Sequence, residues 1–267
     1  MRPYSDPMHA TRTEADTSRM TAWRRKLTVE ERYIPREERR ALYTGAVFVA
    51  VVGAAIFTTM LVGVLTGGGA ALLDDPVRQW ILTLRDAQET SVMAVLAFVF
   101  GPVAMPVIVL VVGVAWAIFA THAWRPFLLW CGMGVGVVTA LTMAPIVQHP
   151  RPPVDEMLLH VDRTFSFPSG HVLGACDFLL ITAFLVASRE RRTWVRVALL
   201  VLAVAGIVTQ IYSRLYLGYH WLTDVLGSLG ISLVILGLVI AVDTWRTARV
   251  SGEPVTGELS SVQRDGT

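Results

Sequence analysis

Six apolar runs dominate this sequence, at about residues 41–66, 92–119, 126–147, 169–188, 195–213 and 221–243. Each is close to the roughly 20 residues that an α-helix needs to cross a bilayer. In lipid, every backbone N–H and C=O must find its partner within the protein, and continuous apolar runs of this length satisfy that demand as helices. Composition agrees. Of the 267 residues, 54% are hydrophobic and 16% charged, and the mean hydropathy is +0.54. With glycine counted and tyrosine omitted, the apolar share is about 60%, above the 45–50% of soluble domains. The pattern predicts an all-α, six-transmembrane-helix bundle and argues against a water-soluble globule. In the second run, Gly101-Pro102 and Pro106 predict a kink. The connection 67–91 opens with glycines and carries Asp74, Asp75, Trp80 and Arg85, which suits a short amphipathic helix along the membrane surface.

Residues 1–40 read as a polar, basic segment, 41–243 as the membrane domain, and 244–267 as a polar tail. The first segment is too long and too charged for the n-region of a cleaved signal peptide. Met1 to Thr21 reads as disordered, whereas Trp23, Leu27 and Ile34 suit either an interfacial helix on anionic lipid or a solvated tail. Basic residues divide unequally between the connections. The N-terminal segment holds ten, the 120–125 connection Arg125, the 189–196 connection Arg189, Arg191, Arg192 and Arg196, and the tail Arg246, Arg249 and Arg264. The alternate set holds Arg78 and Arg85, then Arg151 and Arg163, then Arg214. The positive-inside bias therefore places both termini in the cytoplasm and the second set outside. Net charge is only +2 and no folded stretch carries a basic stripe, which argues against nucleic acid as a partner. Cys131 and Cys176 lie inside apolar runs and read as packing residues rather than a disulfide or metal ligands.

Polar chemistry collects in two places on the outer side. One is 148–171, from Gln148, His149 and Arg151 through Asp155, Glu156, His160, Asp162 and Arg163 to Pro168-Ser169-Gly170-His171. The other runs from Ser213-Arg214 through His220 to Asp224. Topology brings Arg151 and Arg214 to the same face. Ser169 is a natural N-cap for the fourth run, and Gly170 adds an unhindered N–H at the positive end of that helix, a good place for an anion. His171 stands one position further in. His220 and Asp224, four residues apart at the start of the last helix, share a face. A carboxylate there can take the proton of one imidazole nitrogen and leave the other as a nucleophile. The same pair also suits a metal, but two arginines repel a cation and suit phosphate, which guanidinium grips with two parallel bonds.

These residues carry a resemblance. Arg151-Pro152, then Phe165-Ser166-Phe167-Pro168-Ser169-Gly170-His171, then the stretch from Ser213-Arg214 through Gly218-Tyr219-His220 to Asp224 resemble the three-part signature of the type-2 phosphatidic acid phosphatase superfamily. Order, spacing and six-span layout agree over about 41–243. The resemblance implies a phosphatase that needs no metal or other cofactor and works through a phosphohistidine. It assigns nucleophilic attack to His220, its orientation to Asp224, and leaving-group protonation and water activation to His171. Arg151, Arg214, Ser169 and the Gly170 backbone would hold the phosphoryl oxygens. One departure stands out. Where the family usually has a lysine, seven positions before the arginine, this chain has Ala144, and where an arginine is frequent, two positions before it, this chain has His149. His149, Gln148 and Arg163 are the candidates to supply the missing donor.

The expected substrate is a lipid phosphate or diphosphate whose tail stays in the bilayer: a polyprenyl diphosphate, phosphatidylglycerol phosphate or phosphatidic acid. The composition hints at a bacterial cell membrane protein with its site on the extracytoplasmic face and membrane lipids as surroundings. A phosphotransferase using the same histidine, a lapsed lipid-binding or transport protein, and a metal-dependent hydrolase are the rival readings. Asp177, an acid inside the fourth run, reads as a buried hydrogen-bonding residue. Gly227 and Gly230 read as sites of close helix packing.

Overall fold

A computed structural model describes residues 25–257 and 259–262. The chain runs β1 (Val29–Tyr33), α1 (Arg36–Thr66), a 3-10 turn (Gly69–Leu73), α2 (Asp74–Leu82), α3 (Ala87–Val99), α4 (Ala104–Phe119) and α5 (Trp124–Val147). After a long connection it continues as α6 (Gly170–Ala187), α7 (Thr193–Tyr216), α8 (Leu222–Thr247), β2 (Ala248–Arg249) and β3 (Ser260–Val262). Five of the helices, α1, α5, α6, α7 and α8, are long and apolar enough to cross a membrane, and α3 with α4 make a sixth if the pair is one span bent by 56°. The bend falls at Gly101-Pro102, where the sequence places a proline that lacks an N–H. At 1.5 Å per residue, α3 is about 20 Å long and α4 about 24 Å, so neither alone covers a 30 Å hydrocarbon layer.

The outward faces carry large apolar side chains, among them Phe48, Leu65, Phe119, Leu141 and Leu202. In water such a surface would drive aggregation, whereas in lipid it is the solvated face. Apolar surface therefore gives no net drive for helix association, and close packing must supply it. Helix α8 is the centre of that packing. Its Ile231, Ile235 and Val239 meet Met105 and Val109 of α4, Leu128, Leu129 and Met133 of α5, and Leu173, Ile181 and Leu185 of α6. Against α1 the approach is backbone to backbone. A Cβ at Gly230 would fall 2.6 Å from the Phe57 nitrogen, and one at Gly53 would fall 2.6 Å from the Gly230 oxygen. Gly227 instead makes room for the Phe167 ring. Asp177 on α6 is fully buried against Gly136 of α5, with the Ser232 side chain of α8 as its polar neighbour.

At the end opposite the polar connections, the two flanking segments depart from expectation. Residues 29–33 form the middle strand of a parallel three-stranded sheet in the order β2-β1-β3, not an interfacial helix, and the tail supplies both neighbours. Ile34 is buried and Leu27 exposed, while Trp23 and the segment Met1 to Thr21 lie outside the described residues. Helix α1 begins at Arg36 and α8 ends at Thr247, so both outrun the 41 and 243 boundaries read from hydropathy. Buried Glu31 fixes the sheet, accepting from Arg246 Nη1 at 2.8 Å and Arg249 Nε at 2.7 Å. Burial raises its pKa, but hydrogen bonds from Ser260 and Thr256 and the charge of Arg249 outweigh this and bring it down to about 2. Lys26 Nζ donates to the carbonyls of Ala117, Ile118 and Ala120 at 2.6–2.7 Å, covering the free acceptors at the end of α4.

Candidate active site

The start of α8 builds the centre of the site. Asp224 sits in the first turn, where its carboxylate complements the helix dipole, and its Oδ2 accepts from the Trp221 N–H at 2.8 Å. His220 lies just before the helix, with Nδ1 3.4 Å from Asp224 Oδ2. With its proton on Nδ1, facing the carboxylate, the ring leaves a lone pair on Nε2. That atom points away from Asp224, toward Arg151 Nη1 at 3.2 Å. Burial, reinforced by the charges of Arg214 and Arg151, lowers the His220 pKa to about 4 in spite of Asp224. The ring is therefore neutral, as a nucleophile must be. Helix α8 is itself anchored from the first outer connection: Asp74 accepts from Thr223 N at 2.9 Å and from Thr223 Oγ1 at 2.8 Å. Burial raises the Asp74 pKa, partly offset by those bonds.

The second element is the N-terminus of α6. Ser169 is fully buried, and its Oγ accepts from Val172 N at 3.5 Å as an N-cap. Gly170 faces open space, leaving the helix end accessible. His171 follows on the first turn, with Nε2 3.5 Å from where a Cβ of Gly101 would stand, so the ring borders the break between α3 and α4. Arg214, Arg151, Asp162 and the His220 ring are its electrostatic neighbours. The expected convergence of the two histidines and two arginines is thus present.

The arginines differ in how they are held. Arg151 donates from Nε to Thr164 O at 3.1 Å, from Nη1 to Tyr219 O at 2.7 Å, and from Nη2 to Thr164 Oγ1 at 3.0 Å and Asp162 Oδ2 at 2.9 Å. With the contact to His220 Nε2, all five guanidinium donors have partners. Desolvation lowers its pKa against the opposing pull of Asp162 and Asp224. Arg214, at the end of α7, is also buried, but its Nε has no hydrogen-bond partner and its guanidinium lies over the Tyr219 ring, 4.6 Å from the centroid. Arg214 is the cation with donors to spare.

The three candidates for the missing donor separate. Gln148 ends α5 in the left-handed conformation (φ 54°) with its side chain exposed, and Arg163 is exposed as well. His149 points inward, with Nδ1 2.9 Å from Asp224 Oδ1, so it contacts the aspartate and not the phosphate-facing side of His220. Of the acidic loop residues, Asp162 pairs with Arg151, and Glu156 binds Arg78 of α2, whose guanidinium stands 5.8 Å from the Trp221 ring centroid. Asp155 is exposed, and the His160 backbone brackets the Tyr219 hydroxyl at 2.6 and 2.7 Å. Sequence reasoning missed Asp74, Arg78, Ser166 and Tyr219 as parts of the site. Ser166 and Tyr219 lay within the quoted motifs, whereas Asp74 and Arg78 lay outside them. Among the described residues no three of His, Cys, Asp or Glu gather where they would hold a metal ion.

Residues 123–248 match the model of the PAP2 superfamily. Phosphatidylglycerophosphatase B of Bacillus subtilis is 37% identical over 92 residues, 32% of this chain and 42% of the relative. Phosphatidylglycerophosphatase B of Escherichia coli is 36% identical over 92 residues, 34% of this chain and 32% of the relative. The putative undecaprenyl-diphosphatase YbjG of Escherichia coli is 37% identical over 100 residues, 36% of this chain and 46% of the relative. The matched stretches span less than half of each of these relatives. The fold is similar to the crystal structure of a transmembrane PAP2 type phosphatidylglycerolphosphate phosphatase from Bacillus subtilis, with a TM-score of 0.63 at 23% identity, covering 72% of this chain and 96% of that one.

Proposed function

From the match of residues 123–248 to the PAP2 superfamily model, we propose that the protein is a membrane phosphatase of that kind, acting on a lipid phosphate or diphosphate at the outer leaflet. The observation that carries this reading is the buried His220–Asp224 pair, with the Nε2 of a neutral ring turned toward Arg151 and the charge of Arg214 acting on the same ring. Nε2 attacks phosphorus, a P–N bond forms, and the P–O bond to the lipid breaks. His171 gives its proton to the departing oxygen. The ring of His220 becomes cationic as it is phosphorylated, and Asp224 stabilises that charge through the Nδ1 proton. Water, deprotonated by His171, then attacks phosphorus, the P–N bond breaks, and phosphate leaves.

Arg214 is the principal grip on the phosphoryl oxygens and Arg151 a partial one, with the Gly170 N–H at the open end of α6 as a third donor. The buried Ser169 shapes that end. Phosphoryl transfer asks a protein mainly for positioning and charge stabilisation, and these groups supply both. The arginine distribution supports cytoplasmic termini and an extracytoplasmic site in a bacterial cell membrane. On this reading the flanks 1–40 and 244–267 are cytoplasmic and 41–243 is the phosphatase domain, with six spans. The relatives named for phosphatidylglycerol phosphate and undecaprenyl diphosphate support a substrate of that class, held by its tail in the bilayer.

The test is release of free phosphate by purified protein across a panel of phosphatidylglycerol phosphate, phosphatidic acid and polyprenyl diphosphate, with His220→Ala beside it. Release by the wild type and none by the variant is expected. Equal release by both, or transfer to an acceptor with no free phosphate, would overturn the assignment.

A further inference from the structure

Asp224 has two oxygens and two imidazoles. Its Oδ2 accepts from the Trp221 N–H at 2.8 Å and stands 3.4 Å from His220 Nδ1, close enough to pair with it but too poorly aligned for a hydrogen bond. Its Oδ1 faces His149 Nδ1 at 2.9 Å and Ser166 Oγ at 3.3 Å. Ser166 has one hydroxyl proton, and the carbonyls of His149 and Pro150, both at 3.1 Å, compete for it at shorter range, leaving the Ser166 oxygen to accept a share of the His149 Nδ1 proton at 3.1 Å. His149 is thus the dependable donor to Oδ1. A carboxylate only accepts, so the His149 proton must be on Nδ1. The ring reaches this position because α5 ends in the left-handed turn at Gln148, after which the chain turns inward and the imidazole lies beside Trp221, with centroids 6.3 Å apart.

We infer that His149 is a positioning residue that pins the Asp224 carboxylate so that its other oxygen meets His220 Nδ1, and that it is not a substitute for the missing phosphate-binding lysine. The inference rests on the proposed activity for its kinetic arm. Asp224 is completely buried, so an oxygen left without a donor carries a desolvation penalty that the side chain relieves by rotating toward whatever donors remain. Rotation would move Oδ2 away from His220, whose contact is already the longest of the four. The ring would then lose both its orientation and the countercharge for its phosphorylated form. The nearest measured analogy is the outer partner that orients a metal-bound histidine or carboxylate, whose loss typically costs about 10–100-fold.

The experiment compares His149→Ala and His149→Asn in the wild-type background, with His220→Ala as the inactive reference. The Asn amide places an N–H close to where Nδ1 stands. His149→Ala is expected to lower kcat by about 10–100-fold with KM within twofold, and His149→Asn to recover most of the loss. Wild-type kcat in His149→Ala, an equal loss in both variants, or a loss confined to KM would overturn the inference. The last result would mean that the ring touches substrate. A second arm needs no turnover: in protein labelled with ¹⁵N-histidine, the resonance that disappears in His149→Asn should report a protonated Nδ1, and a bare Nδ1 would refute the assignment. If the wild type releases no phosphate from any lipid, the proposed activity fails while this arm still decides the role of His149.

Discussion

Replacing Arg214 by lysine keeps the charge and removes the fork, which makes it the sharpest test of how this site holds phosphate. All five donors of Arg151 have partners, so it can spare a substrate little more than the N–H now facing His220. Arg214 has an unpartnered buried Nε and rests on Tyr219. A lysine there would make one contact with a phosphoryl oxygen in place of two. Losing one charge-assisted bond removes about 1.5–3 kcal/mol. Losing the stack on Tyr219 removes about 0.5–1 kcal/mol more. The sum, about 2–4 kcal/mol, corresponds to a fall of roughly 30- to 10³-fold in kcat/KM at 1.36 kcal/mol per decade. Single-turnover release of phosphate from a lipid phosphate in mixed micelles measures it directly. A loss below about fivefold would refute the reasoning, because charge alone would then suffice and Arg214 would be acting as a distant cation.

Further outcomes are expected. His171→Ala should slow phosphorylation by an alkyl phosphate about 10²–10⁴-fold and largely spare an aryl phosphate, whose leaving group needs no proton, as quenched-flow labelling of the enzyme would show; equal losses on both would remove His171 as general acid. Because the folded His220 pKa is about 4, below its ordinary 6.5, the acid limb of kcat/KM should fall near pH 4, and Arg151→Gln should move it upward. The linked stability has the matching sign: the unfolded chain binds the extra proton, so this contribution is full above pH 6.5 and lost as pH falls toward 4, which pH-dependent melting in detergent checks. Cysteine placed at Asp155 should react with an impermeant thiol reagent in intact cells and cysteine at Thr193 should not, reversed labelling overturning the sidedness. Gly230→Leu should destabilise by about 1–3 kcal/mol or more in denaturation assays, since its Cβ would fall 2.6 Å from the backbone of α1; an unchanged melting temperature would contradict the close approach.

The spans were legible because lipid makes one demand that local sequence can meet, a continuous apolar helix, and even the bend at Gly101-Pro102 followed from a local rule. The two histidines, Asp224 and the two arginines were legible from motif spacing and from which ends of the spans share a side. Asp74 was not, since a carboxylate in a surface connection gives no sign that it will anchor Thr223, some 149 residues away. His149 was noticed for what it replaces, but its partner was hidden, because the inward turn at Gln148 uses a left-handed conformation that glutamine rarely adopts. The small sheet was equally opaque: its strands have two to five residues and no clear alternation, and β1 pairs with segments more than 200 residues distant. Its one local clue, Glu31, is an acid in a charged stretch, which ordinarily means solvent. The outer arginines also changed meaning. Arg78, Arg85, Arg151 and Arg214 each engage site or loop structure, so sidedness is read there against cations that serve other purposes.

The backbone contact between α1 and α8 bears on how the protein is made. Among the described spans, helix α1 is synthesised first and the helix it packs against most closely is completed last, 181 residues later by the difference between Thr66 and Thr247. At about 5–20 residues per second, α1 waits roughly 10–40 s in the bilayer with its Gly53 face bare. The membrane must therefore tolerate that face unaided, which a stripe of small residues allows and a polar one would not. Until α8 arrives, His220 and Asp224 do not exist beside Arg151 and His171, so the proposed site is assembled only by the last of the described spans.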